Sequence, residues 1–158
     1  MTKRDPVEVV EGVWAGPGCM DVSELGVDII ISLECSCKAR GAPSVCFQLE
    51  DFDIKPVDNL EEAILRVREE LDLKGHKVYV HCGAGCGRTG TVVSAFLILY
   101  REMGYQDALE TFFKARGCGP EAPVQVEFLK LLDEYKKEFE PREAIRMAAL
   151  GVFGIGFR

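Results

Sequence analysis

A short run between residues 81 and 91 carries the side chains that could do chemistry. It begins with His81-Cys82, ends with Arg88-Thr89-Gly90-Thr91, and places three glycines between the cysteine and the arginine. An apolar strand pattern precedes it, and an apolar helix pattern follows from Thr91. A glycine-rich turn between a strand and a helix binds oxyanions, because free N–H groups and the helix dipole converge there. The run therefore predicts an anion site that contains a nucleophile.

Cys82 and Arg88 supply complementary chemistry in this turn. A cysteine attacks as its thiolate, which N–H groups, a helix dipole and a nearby arginine all stabilise. The planar guanidinium of Arg88 suits two phosphate oxygens at once, a geometry that lysine lacks. Cys82 beneath a bound phosphoryl group is expected to attack phosphorus and form a phosphocysteine. The residues expected to hold the phosphate are Gly83, Ala84, Gly85, Cys86, Gly87 and Arg88.

Neighbouring side chains are candidates for assisting roles. Thr89 either hydrogen-bonds the Cys82 sulfur as a leaving group or caps the following helix. His81 is expected to anchor the turn by hydrogen bonds, with general-base catalysis as the alternative. Cys86 is interpreted as small filler, and a reversible disulfide between Cys82 and Cys86 is the alternative.

A phosphate ester also needs an acid that protonates its departing oxygen. Asp51 and Asp53 follow the apolar strand pattern over 45–49, which places them at the same sheet end as the turn. We therefore interpret residues 50–56 as an acid loop. Asp51 is the preferred general acid, and Asp53 is the alternative.

The elements that must position these residues alternate between strands and helices. Strand patterns cover 7–10, 13–15, 27–33, 45–49 and 76–81. Helix patterns cover 58–73 with Asp58 as its cap, then 91–103, 106–115 and 123–139. The alternation predicts an α/β fold with a central, mostly parallel sheet of four to five strands flanked by helices. Ligands bind such sheets beyond the carboxyl ends of the strands, where the turn lies.

Length and composition are those of one globular domain. The chain has 158 residues, of which 47% are hydrophobic and 28% charged. We expect a domain over 1–140 and a tail over 141–158 that is a docking helix or partly disordered. The net charge of −7 argues against partners such as nucleic acid or an anionic membrane. The longest apolar run, 92–100, is too short to span a membrane.

The number and spacing of the cysteines indicate whether the chain forms disulfides or binds a metal. Seven cysteines, an odd number without framework spacing, predict free thiols in a reducing cytoplasm rather than a disulfide scaffold. The charged residues 3–5, in place of an apolar signal segment, also favour a cytoplasmic location. Cys35 and Cys37 alone are too few for a zinc site, so we expect no metal and no cofactor.

The pattern Cys82-x5-Arg88-Thr89, with His81 in front, resembles the cysteine-dependent protein tyrosine phosphatase superfamily. The likeness is greatest to its small dual-specificity and archaeal-type members, and it extends over most of the chain. Asp51 matches the general acid of the family. The stretch from Arg116 to Leu129, which includes Gln125 as a supporting residue, is similar to the family segment over the pocket. Within it, Glu121 takes the position sometimes held by a water-orienting glutamine.

The resemblance implies a two-step phosphatase that needs no metal. Cys82 would carry the phosphoryl group, Arg88 would hold it, and Asp51 would act as acid and then as base. Residues 83–87 contain no lysine, whereas relatives acting on phosphoinositides commonly have lysines there. The expected partner is therefore a phosphorylated protein, with phosphotyrosine and some phosphoserine and phosphothreonine as substrates. The chain is expected to be a monomer.

Other interpretations of the same run explain fewer of its residues. The pattern Gly85-x-Gly87-x-x-Gly90 satisfies the dinucleotide fingerprint but gives no reason for Cys82 or Arg88. A Walker loop requires lysine where this chain has arginine. Sulfur transfer, arsenate reduction and a non-catalytic phospho-ligand-binding module use the same kind of cradle and stay as alternatives.

Overall fold

The central sheet forms from the short β-branched segments of the chain. In the computed structural model, residues 5–154 are described. The strands are β1 (Val7–Val10), β2 (Val13–Gly16), β3 (Ile29–Ser32), β4 (Ser44–Cys46) and β5 (Val78–His81). They lie in the order β1-β2-β5-β3-β4; the β1–β2 pair is antiparallel and the other three pairs are parallel. This confirms the predicted mostly parallel sheet.

Within residues 5–154, five α-helices complete the fold. They are α1 (Val57–Arg68), α2 (Gly87–Tyr100), α3 (Tyr105–Arg116), α4 (Pro123–Tyr135) and α5 (Pro141–Val152). Helices α1, α2 and α3 contact strands of the sheet, and α4 and α5 pack mainly on other helices. Helix α2 is apolar on almost every side and is buried from residue 88 to residue 98. A helix with this pattern belongs in the core. It packs against α1, α3 and α4, so the turn that starts it is fixed from several directions.

Several element boundaries differ from the sequence-based ones. Helix α2 begins at Gly87, four residues before the apolar pattern starts, because the Gly90 N–H already bonds to the Cys86 carbonyl. Asp58 is not a cap: α1 follows Pro56 without a side-chain cap, and Asp58 lies in its first turn. A carboxylate there still interacts favourably with the helix dipole. The π-helical turn Glu69–Leu73 completes the predicted helix.

The last described helix packs on the body of the protein. Helix α5 contacts α4 and α1 through buried residues that include Ile145 and Ala148. The buried Glu61 carboxylate of α1 accepts hydrogen bonds from Arg142 and, at 2.6 Å, from Arg146. Part of the predicted tail is therefore a packed helix, and residues 155–158 lie outside the described residues. The division at residue 140 stays a prediction.

The carboxyl ends of the strands carry paired cysteines. Cys19 pairs with Cys37, Cys35 with Cys46, and Cys86 with Cys118, at Cα–Cα distances of 4.9, 5.9 and 5.4 Å. The prediction of free thiols is therefore wrong. Sequence spacing could not reveal the pairs, because each joins segments that meet only after the sheet has formed. Within residues 5–154, Cys82 is the one unpaired cysteine.

None of the helices within residues 5–154 combines the length and the apolar character that crossing a membrane requires.

Candidate active site

Residues 82–88 span the turn after β5 and the first two residues of α2, and we call them the phosphate loop after the ligand that the sequence predicts for them. Each backbone carbonyl from residue 82 to residue 85 accepts a hydrogen bond from outside the loop. The donors, in order, are His81 Nδ1 (2.8 Å), the Gly18 N–H (3.0 Å) and the Arg116 guanidinium (2.9 and 3.1 Å). Because the N–H of a trans peptide points opposite to its carbonyl, these bonds turn the N–H groups into the loop. The result is a preorganised anion cradle.

Gly85 is required at the tightest point of the phosphate loop. Its φ angle is +77°, a left-handed conformation that side chains disfavour. A Cβ at this position would also collide with the backbone of Gly16 at the end of β2. The loop can therefore approach the sheet only because this residue is glycine.

His81 anchors the start of the loop from within the core. Its Nε2 accepts a hydrogen bond from the Ala39 N–H at 3.1 Å and lies 2.8 Å from the Ser32 hydroxyl. Nδ1 therefore carries the proton and donates it to the Cys82 carbonyl. Burial lowers the pKa of His81, which keeps the ring neutral. This geometry supports an anchoring role and leaves neither ring nitrogen free for a general base.

Cys82 lies at the base of the cradle, with only 3% of its surface exposed. Thr89 lies inside the first turn of α2, and the residue at the cap position is Cys86, so the capping interpretation of Thr89 is wrong. The buried Thr89 hydroxyl has no hydrogen-bond partner within residues 5–154. An unpartnered buried hydroxyl is costly unless a ligand or a reacting group uses it. This supports a role beside the Cys82 sulfur.

Arg88 is fixed on one side and open on the other. Its Nη1 donates to the Glu34 carboxylate and to the Leu49 carbonyl, both at 2.8 Å. Its Nη2 faces the loop, 3.7 Å from where a Cβ on Gly83 would stand. Its Nε is buried and has no hydrogen-bond partner within the described residues. Nε and Nη2 are therefore the pair of donors available to two oxygens of a phosphoryl group.

Glu34 is the site residue that the sequence reasoning missed. It follows β3 and orients Arg88 from behind the phosphate loop. Hydrogen bonds from the Ser36 hydroxyl and from Arg88 lower the pKa of Glu34 to about 2, so it is ionised at neutral pH. A signal was present in the sequence, because Glu34 is an acid directly after a buried strand, as Asp51 is after the next one.

The acid loop brings one of its two aspartates to the phosphate loop. Asp51 Oδ1 lies 3.5 Å from Arg88 Nε, and 61% of the Asp51 side chain is exposed. Each aspartate also accepts a hydrogen bond from the next N–H of the loop, at 3.1 Å for Asp51 and 2.7 Å for Asp53, so the approach to Arg88 is what distinguishes Asp51. Between them, Phe52 has a φ angle of 60° and is 70% exposed. The geometry supports Asp51 rather than Asp53 as the general acid.

Gln125 connects the two loops from α4. Its Nε2 donates to the Asp53 carbonyl at 3.3 Å, and its Oε1 lies 3.4 Å from where a Cβ on Gly87 would stand. That buried Oε1 has no hydrogen-bond partner within residues 5–154. Glu121, in contrast, has an exposed side chain two residues before α4 begins. Gln125 is thus the better placed of the two to position a group above the phosphate loop.

The described part of the chain, residues 5–154, contains no group of three or more histidine, cysteine, aspartate or glutamate side chains that could hold a metal ion.

Several curated proteins are similar to this chain. The family model described as dual specificity phosphatase, catalytic domain, matches residues 16–138. A putative tyrosine phosphatase 123R of invertebrate iridescent virus 6 is 29% identical over 115 residues, which are 71% of this chain and 80% of the viral protein. Dual specificity protein phosphatase 22 of Homo sapiens is 29% identical over 98 residues, 62% of this chain. This chain spans about half of that human protein, 52% of its length.

Solved structures share the fold. Tk-PTP in the active form is 27% identical, with a TM-score of 0.68, and the match covers 82% of this chain and 96% of Tk-PTP. PTPMT1 in complex with PI(5)P is 22% identical, with a TM-score of 0.69, and covers 90% of this chain and 97% of PTPMT1. At 22% identity, the likeness to PTPMT1 shows a shared fold and nothing more.

Proposed function

Because the chain belongs to the dual specificity phosphatase family, we propose that it hydrolyses phosphotyrosine in proteins through a phosphocysteine at Cys82. Phosphoserine and phosphothreonine are the slower substrates. One observation carries the proposal: a free, buried cysteine starts a loop whose carbonyls from residue 82 to residue 85 all accept hydrogen bonds from outside the loop. It lies beside an arginine whose buried Nε has no hydrogen-bond partner within the described residues. An acid, Asp51, lies 3.5 Å from that arginine.

The first step transfers the phosphoryl group to the enzyme. The loop N–H groups and Arg88 bind the phosphoryl oxygens, which places phosphorus above the Cys82 sulfur. The thiolate attacks, the sulfur–phosphorus bond forms, and the bond from phosphorus to the tyrosine oxygen breaks. Asp51 gives its proton to the departing oxygen. The same loop dipoles stabilise the charge on the phosphoryl oxygens in the transition state.

The second step returns the enzyme to its starting state. The Asp51 carboxylate takes a proton from a water molecule, whose oxygen attacks phosphorus. The sulfur–phosphorus bond breaks, Cys82 leaves as a thiolate, and inorganic phosphate is released. In this step the Thr89 hydroxyl, which is unpartnered within the described residues and lies in the first turn of α2, would hydrogen-bond that sulfur, and Gln125 would orient the water.

Two observations support an aromatic phosphate in a protein over a lipid phosphate. Phe52 follows Asp51 in the acid loop and exposes an aromatic ring, a group that stacks favourably on the ring of a phosphotyrosine. Residues 83–87 offer no lysine to the further phosphates of an inositol headgroup. The name of one relative, phosphatidylglycerophosphatase and protein-tyrosine phosphatase 1 of Rattus norvegicus, includes a lipid activity. It is 40% identical over 70 residues, which are 44% of this chain and 35% of the rat protein.

The experiment is a substrate panel assayed with EDTA present. It compares a phosphotyrosine peptide, the matched phosphoserine peptide, phosphatidylglycerophosphate and a phosphoinositide. We expect the phosphotyrosine peptide to have the highest kcat/KM and EDTA to leave its rate unchanged. A higher kcat/KM for either lipid would contradict the substrate class, and loss of activity with EDTA would contradict the metal-free mechanism.

A cytoplasmic location and a monomeric state are also proposals. Cysteine usage no longer supports the first of them, because six of the seven cysteines are paired.

A further inference from the structure

The end of α3 supports the phosphate loop in two ways. Arg116, the last residue of α3, donates to the carbonyls of Ala84 and Gly85. Gly117 then ends the helix with a φ angle of 78°, and the chain turns so that Cys118 pairs with Cys86. One segment of three residues thus supplies both hydrogen bonds and a covalent bond to the loop.

The packing behind this cross-link is tight. A Cβ on Gly90, in the first turn of α2, would stand 2.6 Å from Pro120 Cδ and 3.0 Å from the Phe112 ring. The segment after α3 is therefore pressed against the helix turn that follows the phosphate loop. A change at Cys118 has little free space in which to relax without moving that turn.

We infer that the disulfide between Cys86 and Cys118 positions the phosphate loop, and that the site binds phosphate more weakly when this bond is reduced. The inference rests on the proposed function, because it concerns the same site. Preorganising a binding loop raises affinity by removing the cost of ordering it. The cross-link acts through the loop backbone and contacts no reacting atom, so we regard the two cysteines as positioning residues.

The two sulfurs of the Cys86–Cys118 disulfide differ in exposure, and this difference determines which of them a reductant attacks first. Cys86 is partly exposed, whereas only 4% of Cys118 is exposed. A dithiol reductant attacks the Cys86 sulfur as a thiolate, and Cys118 leaves as a thiolate that takes up a proton. The second thiol of the reductant then displaces Cys86. The protein gains two electrons and two protons as two thiols, and the reductant becomes a cyclic disulfide.

The pairing also bears on the nucleophile. While Cys86 is bonded to Cys118, it is not available to Cys82, and the sequence-based alternative of a bond between Cys82 and Cys86 requires reduction first. The cross-link therefore keeps the nucleophile unpaired in the oxidised protein. Reductants, which normally protect a catalytic cysteine, are expected here to weaken the site that surrounds it.

The test compares the full chain before and after reduction with dithiothreitol. Non-reducing peptide mapping first establishes which cysteines are bonded. We expect the Cys86–Cys118 peptide pair in the oxidised protein, and a rise of about tenfold in KM and in the inhibition constant of inorganic phosphate after reduction, with kcat changed less. Reoxidation with a low-molecular-weight disulfide should restore both constants. A Cys86→Ala/Cys118→Ala double variant should have the reduced constants and should not respond to dithiothreitol.

A matched control separates this cross-link from its neighbours. The Cys19→Ala/Cys37→Ala variant removes another disulfide at the same sheet end and should keep the response to reductant. Unchanged constants after verified reduction of the 86–118 bond would overturn the inference, as would a full response in the Cys86→Ala/Cys118→Ala variant. Absence of turnover in both redox states would contradict the proposed function instead. Protection of Cys82 from iodoacetamide by phosphate, compared between the two states, would then still test the cross-link.

Discussion

The two loops that form the site are held in opposite ways. Every carbonyl of residues 82–85 in the phosphate loop is bonded from outside, and a disulfide fixes the loop to the end of α3. In the acid loop, Asp51 and Phe52 are largely exposed. The loop is closed mainly on itself, by a bond from the Glu50 N–H to the Lys55 carbonyl. The Asp53 carbonyl of the acid loop accepts a hydrogen bond from Gln125 Nε2.

The difference agrees with the role proposed for each loop. Dipoles that stabilise a transition state must be oriented before the reaction begins, since reorienting them during it raises the barrier. A general acid must instead reach a leaving oxygen whose position depends on the substrate, and exposed loops commonly supply such groups. Changes around the phosphate loop should therefore affect binding and every substrate, whereas changes in the acid loop should depend on the leaving group.

The largest effect is expected at Arg88. Replacing it with lysine keeps the charge but loses the two parallel donors, so we expect kcat/KM to fall by about three orders of magnitude for all phosphate esters. Steady-state kinetics on a phosphotyrosine peptide and on an aryl phosphate would measure the loss. A variant that retains more than a tenth of the activity would show that bidentate binding is not required.

The next effect separates the two aspartates of the acid loop. We expect Asp51→Ala to lower kcat by about two orders of magnitude at neutral pH, because the leaving oxygen loses its proton donor. The loss should be smaller for an aryl phosphate with a strongly acidic leaving group. Asp53→Ala is the matched control and should keep most of the activity. The reverse result would assign the general acid to Asp53.

A smaller effect is expected where Glu34 contacts Arg88 at the end of the phosphate loop. The Glu34→Gln variant loses the carboxylate that orients Arg88, and we expect KM to rise about tenfold, equivalent to about 1.4 kcal/mol. If Glu34 acts on binding, isothermal titration calorimetry should show the same tenfold rise in the dissociation constant of phosphate. A change confined to kcat would contradict the assigned role.

The Glu34→Gln variant should also change how the stability of the protein depends on pH. The folded-state pKa of Glu34, about 2, lies below its ordinary value of 4.5. Its contribution to stability is therefore fully present above about pH 4.5 and is lost as the pH falls toward 2. The melting temperature of the parent protein should exceed that of Glu34→Gln at pH 6, and the gap should narrow by pH 3. A constant gap would show that ionised Glu34 contributes nothing to the difference.

The smallest effect is expected at Phe52, which is proposed to select the substrate and to take no part in the reaction itself. Phe52→Ala should lower kcat/KM for a phosphotyrosine peptide by about three- to fivefold, since it removes an aromatic contact. The matched phosphoserine peptide should be hydrolysed at an unchanged rate. An equal loss on both peptides would mean that Phe52 shapes the acid loop and does not select the substrate.

The comparison of the two loops also shows what the sequence could predict. Local spacing was sufficient for the phosphate loop, because a strand, a glycine-rich turn and a helix are contiguous in the chain. It also placed Asp51 at the correct sheet end. Glu34 carried the same local signal as Asp51, an acid after a strand pattern, but its contact with Arg88 depends on which strand ends become neighbours in the sheet. The cysteine pairs depend on the same arrangement and have no local signal. The start of α2 was misplaced because glycines and polar residues open the helix before its apolar pattern begins.

The central claim is that the phosphoryl group passes through Cys82. The most direct measurement mixes the Asp51→Ala variant with an aryl phosphate whose leaving group needs no acid, stops the reaction within milliseconds, and maps the phosphorylated peptide by mass spectrometry. We predict one phosphoryl group per enzyme on the Cys82 sulfur, and none in the Asp51→Ala/Cys82→Ser variant. Phosphate release without a phosphoenzyme, or a phosphoryl group on another residue, would contradict the account.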